Sequence, residues 1–254
     1  MGDTAVWSTQ VLVLRAGIYE VVALGFAYPT ETQRADLGVL AAGLVNSAAS
    51  QEYIDGRERD LVGALGAVGV AWGSGHQHAV EADFNRLFSG PMECPPHETA
   101  YEPDIFRRQR ALADIVGFYR AFGFDLGEET RWQADHIGVE LEFCSILLQR
   151  QAHAVANGWT EQAEICDEAL RSFLTDHLGR WYRSLAALLR TTGSVGAYVE
   201  LAELTERWVS AELRSLDLRP EPLAERPRSF DEDQPPSCGA NDATGVITTP
   251  VAGP

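Results

Sequence analysis

Asp135, His136 and Glu140 are the residues whose types and spacing first suggest chemistry. A His and a Glu four positions apart share one side of a helix and can pair, the more strongly if buried. Two readings stay open. In one, Asp135 caps the helix and His136–Glu140 is a satisfied internal pair. In the other, Asp135 and His136 edge a groove that takes a cationic or amide-rich peptide. His76 and His78 flank Gln77 where a helix begins, but no third ligand stands at a metal-binding spacing, which favours a solvated helix start. Cys94, between Glu93 and Pro95, falls in a loop where it could be exposed, whereas Cys144 and Cys166 fall on apolar helix faces and read as core.

Catalytic signatures are missing. All 20 basic residues are arginine, so a phosphate-binding loop that needs lysine is impossible. Neither H-E-x-x-H nor G-x-S-x-G occurs. No catalytic residue, metal site or cofactor of its own is assigned; a helical metal-binding protein or enzyme using the histidines and acids is the alternative. The net charge of −17 repels phosphate backbones and excludes nucleic acid as a partner. It either attracts a basic ligand or simply keeps the chain in solution. Four widely spaced cysteines without a C-x-x-C pair suit reduced thiols in the cytoplasm. Met1–Gln10 carries an Asp and no basic residue, so no export signal is expected there. The run from Leu61 to Trp72 falls short of the roughly 20 apolar residues a membrane span needs.

The elements that must position these groups are helices. Val11, Leu14, Ile18 and Val21 mark one face of a first helix that Pro29 ends. Thr30–Gln33 and Ser74–Gln77 read as capping boxes. Gly63, Gly66 and Gly69 suggest close helix packing. The helix from Thr130 or Asp135 to Ala156 is, after Asp135, apolar nearly all round, with only Glu142, Ser145 and Gln149 as a polar stripe, and should be central. No strand alternation is sustained. The expectation is an all-α, single helical-bundle domain of about nine helices over residues 8–216, followed by an acidic, Pro-rich disordered tail over 217–254.

Three blocks then resemble the TorD/DmsD-like chaperones of molybdenum-containing redox enzymes. The first is Arg15-x-x-x-Tyr19, continuing to Tyr28-Pro29. The second is Phe84-x-x-Leu87-Phe88-x-Gly90-Pro91, then Pro95-Pro96-His97-Glu98-Thr99-Ala100-Tyr101, with His97 replacing the usual aromatic. The third is Asp135-His136-Ile137-x-x-Glu140-Leu141-Glu142-Phe143; Trp132-Gln133-Ala134 stands where the family often has Glu-Pro. The resemblance implies a cytoplasmic, non-catalytic maturation chaperone, monomer or homodimer. Its client would be a molybdopterin-containing catalytic subunit, and its ligand the apo-subunit, its twin-arginine signal peptide, or both. It is similar to the branch serving dimethyl sulfide, ethylbenzene, selenate or chlorate enzymes. The residues expected to meet the client are Tyr19, Leu87, Phe88, Glu98, Tyr101, Trp132, Asp135, His136 and Glu140. A structural subunit of the mature complex is a further alternative.

Overall fold

The structure, a computed structural model, describes residues 7–47, 59–90, 92–124, 134–192 and 196–227. Its elements are α1 (Thr9–Gly25), α2 (Glu31–Val45), α3 (Arg59–Ser74), α4 (Gln77–Phe88), a 3-10 turn (Glu98–Ala100), α5 (Ile105–Ala121) and α6 (Ile137–Ala156). There follow α7 (Thr160–Phe173), a π-helical turn (Leu174–Leu178), α8 (Gly179–Thr191) and α9 (Gly196–Ser215). The π turn joins α7 to α8 without a break, so the described residues form eight rods. Among them no strand occurs; the bridge between His97 and His136 is an isolated pairing.

Local signals explain most helix starts. Ser8, Thr30 and Asp104 accept from backbone N–H groups of the first turns of α1, α2 and α5. The second capping box fails: Ser74 donates to the Val70 carbonyl at 2.7 Å, and His76 takes the N-cap position of α4. Gln77 is occupied elsewhere, accepting from Arg34 at 2.6 Å and donating to the Pro29 carbonyl at 2.5 Å. Of the glycine row, only Gly69 lies against a neighbouring helix, where a Cβ would stand 3.2 Å from that of Ala41. Gly63 and Gly66 face open space.

As the sequence predicts, α6 is the central rod. It packs along α1 and α7, while α9 packs on α8 and α3. The serine of its polar stripe turns inward, and Ser145 donates to the Ala16 carbonyl at 2.9 Å, pinning α6 to α1. Glu142 and Gln149 remain exposed.

The first part of the expected tail is packed. After α9, Asp217 takes a positive φ of 51° and turns the chain back. Leu223 is buried; its N–H donates to the Arg180 carbonyl at 2.9 Å, and that of Ala224 donates to the Tyr101 carbonyl at 3.2 Å. Residues 217–227 therefore form a strap across the domain; 228–254 lie outside the described residues.

Candidate functional site

Pro95 and Pro96 have no backbone N–H, so their carbonyls are what this loop offers for pairing. Both are used. Pro95 accepts from the Tyr101 hydroxyl at 3.1 Å, and Pro96 accepts from the N–H of Ile137 at 2.9 Å. The Glu98 N–H donates to the Asp135 carbonyl at 3.0 Å, and that of Cys94 to the Leu87 carbonyl at 2.9 Å. The loop is thereby fixed to the start of α6 and the end of α4.

Side chains complete the latch. The Asp135 carboxylate accepts from the Thr99 backbone at 3.0 Å and hydroxyl at 2.6 Å, and its other oxygen lies 3.2 Å from His97 Nδ1. Burial works against that charge, but the bonds from His97 and Thr99 outweigh it and hold Asp135 below the usual carboxylate range. His136, not Asp135, is the N-cap: its Nδ1 accepts from the Gly138 N–H at 3.0 Å, so the ring is neutral there with Nε2 protonated. Burial, helped by the nearby His97, pushes His136 down to about 3.

Behind the latch lies a second layer. Glu140 is fully buried and accepts from Trp181 Nε1 at 3.1 Å. Burial first, and then the Glu98 charge, raise it well above the ordinary carboxyl value. Glu98 is buried too, 3.2 Å from His177 Nδ1, and His177 Nε2 lies 3.3 Å from the exposed carboxylate of Asp114. The expected His136–Glu140 side-chain pair does not form; what joins the two residues is the helical bond from the Glu140 N–H to the His136 carbonyl.

These positions correct the expectation of an open, acid-rimmed groove. Glu98, Asp135, His136 and Glu140 are buried, and so are Tyr101, Leu87, Phe88 and Tyr19. Tyr101 stacks on Trp181 at 5.3 Å, Phe88 on Phe26 at 5.9 Å, and Tyr19 on Trp208 at 5.3 Å. The structure gathers Glu98, Tyr101, Asp135, His136 and Glu140 into one network and places Tyr19, Leu87 and Phe88 in the apolar core. Trp132 lies outside the described residues. Cys94 is buried rather than exposed, and burial drives its thiol up to about 12, which removes it as a nucleophile. Among the described residues no group of three or more His, Cys, Asp or Glu side chains is placed to hold a metal ion.

The sequence missed Thr99, His177 and Trp181 as network members, and Arg15 with Glu212. Arg15 forks onto Glu212 through Nε at 2.9 Å and Nη2 at 2.8 Å, wholly buried between α1 and α9. His177 carried one available signal: it lies four residues from both Phe173 and Trp181, so a helix places it on the apolar face they mark.

Residues 55–187 match the family described as nitrate reductase delta subunit. The chain belongs to that family. The match contains the latch and the network behind it, from Cys94 to Trp181, and leaves the Arg15–Glu212 pair outside. Curated relatives of this family member are assembly chaperones, a non-catalytic class. The selenate reductase assembly chaperone protein of Thauera selenatis is 34% identical over 134 residues, 50% of this chain and 67% of that protein. The perchlorate reductase assembly chaperone protein of Dechloromonas aromatica (strain RCB) is 30% identical, covering 53% and 62%. The chlorate reductase assembly chaperone protein of Ideonella dechloratans is 28% identical, covering 66% and 86%. A crystal structure from Archaeoglobus fulgidus, described as a redox enzyme maturation protein, shares the fold. It superposes with a TM-score of 0.50 at 17% identity, over 77% of this chain and 93% of that one.

Proposed function

We propose that this delta-subunit family member is a cytoplasmic assembly chaperone for the molybdopterin-bearing catalytic subunit of a reductase of the selenate, perchlorate or chlorate kind. It holds the apo-subunit, and the subunit's twin-arginine signal peptide, until the cofactor is in place. The observation that carries this reading is the family match over residues 55–187, whose relatives are named as assembly chaperones of three such reductases. The net charge of −17 supports an arginine-bearing ligand, because opposite charge speeds encounter. In this reading the latch does not touch the client through Asp135 or Glu140. It braces the loop from Cys94 to Tyr101 against α6 and so holds the shape of the domain that meets the client.

Co-expression of the chain with a tagged catalytic subunit of such a reductase tests this. The expected result is co-purification with the cofactor-free subunit and release once cofactor is bound. The family's description as a subunit supports a second reading, permanent residence in the mature enzyme. Finding the chain in the active, cofactor-loaded complex would establish that alternative, and no association at all would remove both.

A further inference from the structure

Two grooves meet at Trp159, which stands half exposed at the start of α7 and stacks edge-on against His153 at 5.3 Å. The first, of about 510 Å³, has Trp7, Val155 and Trp159 as apolar walls and Glu164, Asp167 and Glu168 along α7. Asp167 is already matched by Arg171 at 2.6 Å. Glu164 and Glu168 are exposed, one turn apart, and have no cationic partner among the described residues. Like charges at that spacing repel on a bare helix.

A second observation points to a donor in the same groove. Gln151 lines it and is more than nine-tenths buried. Its Nε2 faces Asp167 at 3.4 Å, while its Oε1 has no donor among the described residues. A buried amide oxygen without a partner is costly, and a ligand N–H arriving in the groove would satisfy it. An indole wall, two unmatched carboxylates and an acceptor suit a guanidinium, which stacks flat on an aromatic face while its edge donates.

The second groove, of about 640 Å³ on the other side of Trp159, differs in chemistry. Phe122, Ile146, Ile165 and Cys166 line it, and Ile165 is half exposed. Its cation, Arg150, is turned onto Phe124 at 4.6 Å.

We infer that Trp159 divides a two-part docking site for an arginine-bearing, apolar segment of a partner polypeptide. The guanidinium enters the groove of Glu164, Glu168 and Gln151, and a neighbouring apolar side chain fills the groove of Phe122 and Ile165. That the segment belongs to a client rests on the chaperone reading; the site itself rests on charge complementarity and the unsatisfied acceptor.

The test is calorimetric titration of the full chain with a synthetic peptide of two adjacent arginines followed by leucines and phenylalanine. A matched peptide carries lysines for arginines. The expected result is binding that weakens with salt and falls for the lysine peptide. The double variant Glu164→Gln/Glu168→Gln should weaken it roughly tenfold, while Glu142→Gln on the exposed side of α6 leaves it unchanged. Trp159→Ala should also weaken binding without altering the circular dichroism. Equal binding by the wild type and the Glu164/Glu168 double variant overturns the site while leaving peptide recognition by the chain standing. No binding by the wild type also overturns the site, and co-purification with the catalytic subunit then judges the chaperone reading separately.

Discussion

Glu140 and His136 tilt the stability of the fold in opposite directions as pH changes. Glu140 keeps its proton in the fold well above the pH at which an unfolded glutamate releases it. The native state therefore binds more protons above about pH 4.5, and stability falls as pH rises, by about 1.4 kcal/mol per unit for one group. Glu140→Gln still accepts from Trp181 and should flatten that fall in thermal melts taken upward from about pH 4.5. His136 acts in reverse. Held neutral down to about 3, it refuses a proton that the unfolded chain accepts below about pH 6.5, so it lowers stability on acidification. The buried Arg15–Glu212 pair gives a second prediction. Arg15→Ala strands the carboxylate and should cost about 3–5 kcal/mol in urea denaturation, whereas Arg15→Met with Glu212→Leu should recover most of it. At this scale the sequence pointed to Asp135, His136, Glu98 and Glu140 and offered an internal role as one of two readings, but it did not give their partners. Spacing along one helix cannot show that Thr99, Trp181 and His177 arrive from distant segments to enclose them.

Among the elements, the π turn sets the geometry of the network. It brings His177 to Glu98 and Trp181 to Glu140, on either side of its end at Leu178. Its wide ring also brings the Leu174 carbonyl toward Gly179, where an added Cβ would collide with that oxygen and stand 3.0 Å from Pro220. Gly179→Ala should therefore destabilise by about 1–3 kcal/mol. Gly117→Ala in α5, where nothing lies within 4 Å, should be neutral or stabilising by up to about 1 kcal/mol. Chemical denaturation of the pair checks both signs. The helices themselves were legible because Val11, Leu14, Ile18 and Val21, or Leu141, Cys144 and Leu148, recur at helical spacing. The π turn was not, since Phe173, Leu174, Leu178 and Trp181 fit a plain helix equally well. Ser74 misled for a related reason: its cap partner Gln77 is claimed by Arg34 and Pro29, contacts that only the folded chain supplies.

For the whole molecule, the strap shifts the boundary of the folded unit. Composition turns to proline and acid after about Leu218, which hides the fact that Leu223 enters the core. Leu223→Ala should cost about 2 kcal/mol or more and open the loop from Cys94 to Tyr101 to limited proteolysis, read by mass spectrometry of the fragments. The strap also decides where instruments can be attached. Trp7 lines one of the Trp159 grooves, and Ala224 is tied to Tyr101. A bulky reporter joined near either of these residues would crowd a surface under study. Val39, on the outer side of α2 and 74% exposed, is the quieter place for a dye or a tether.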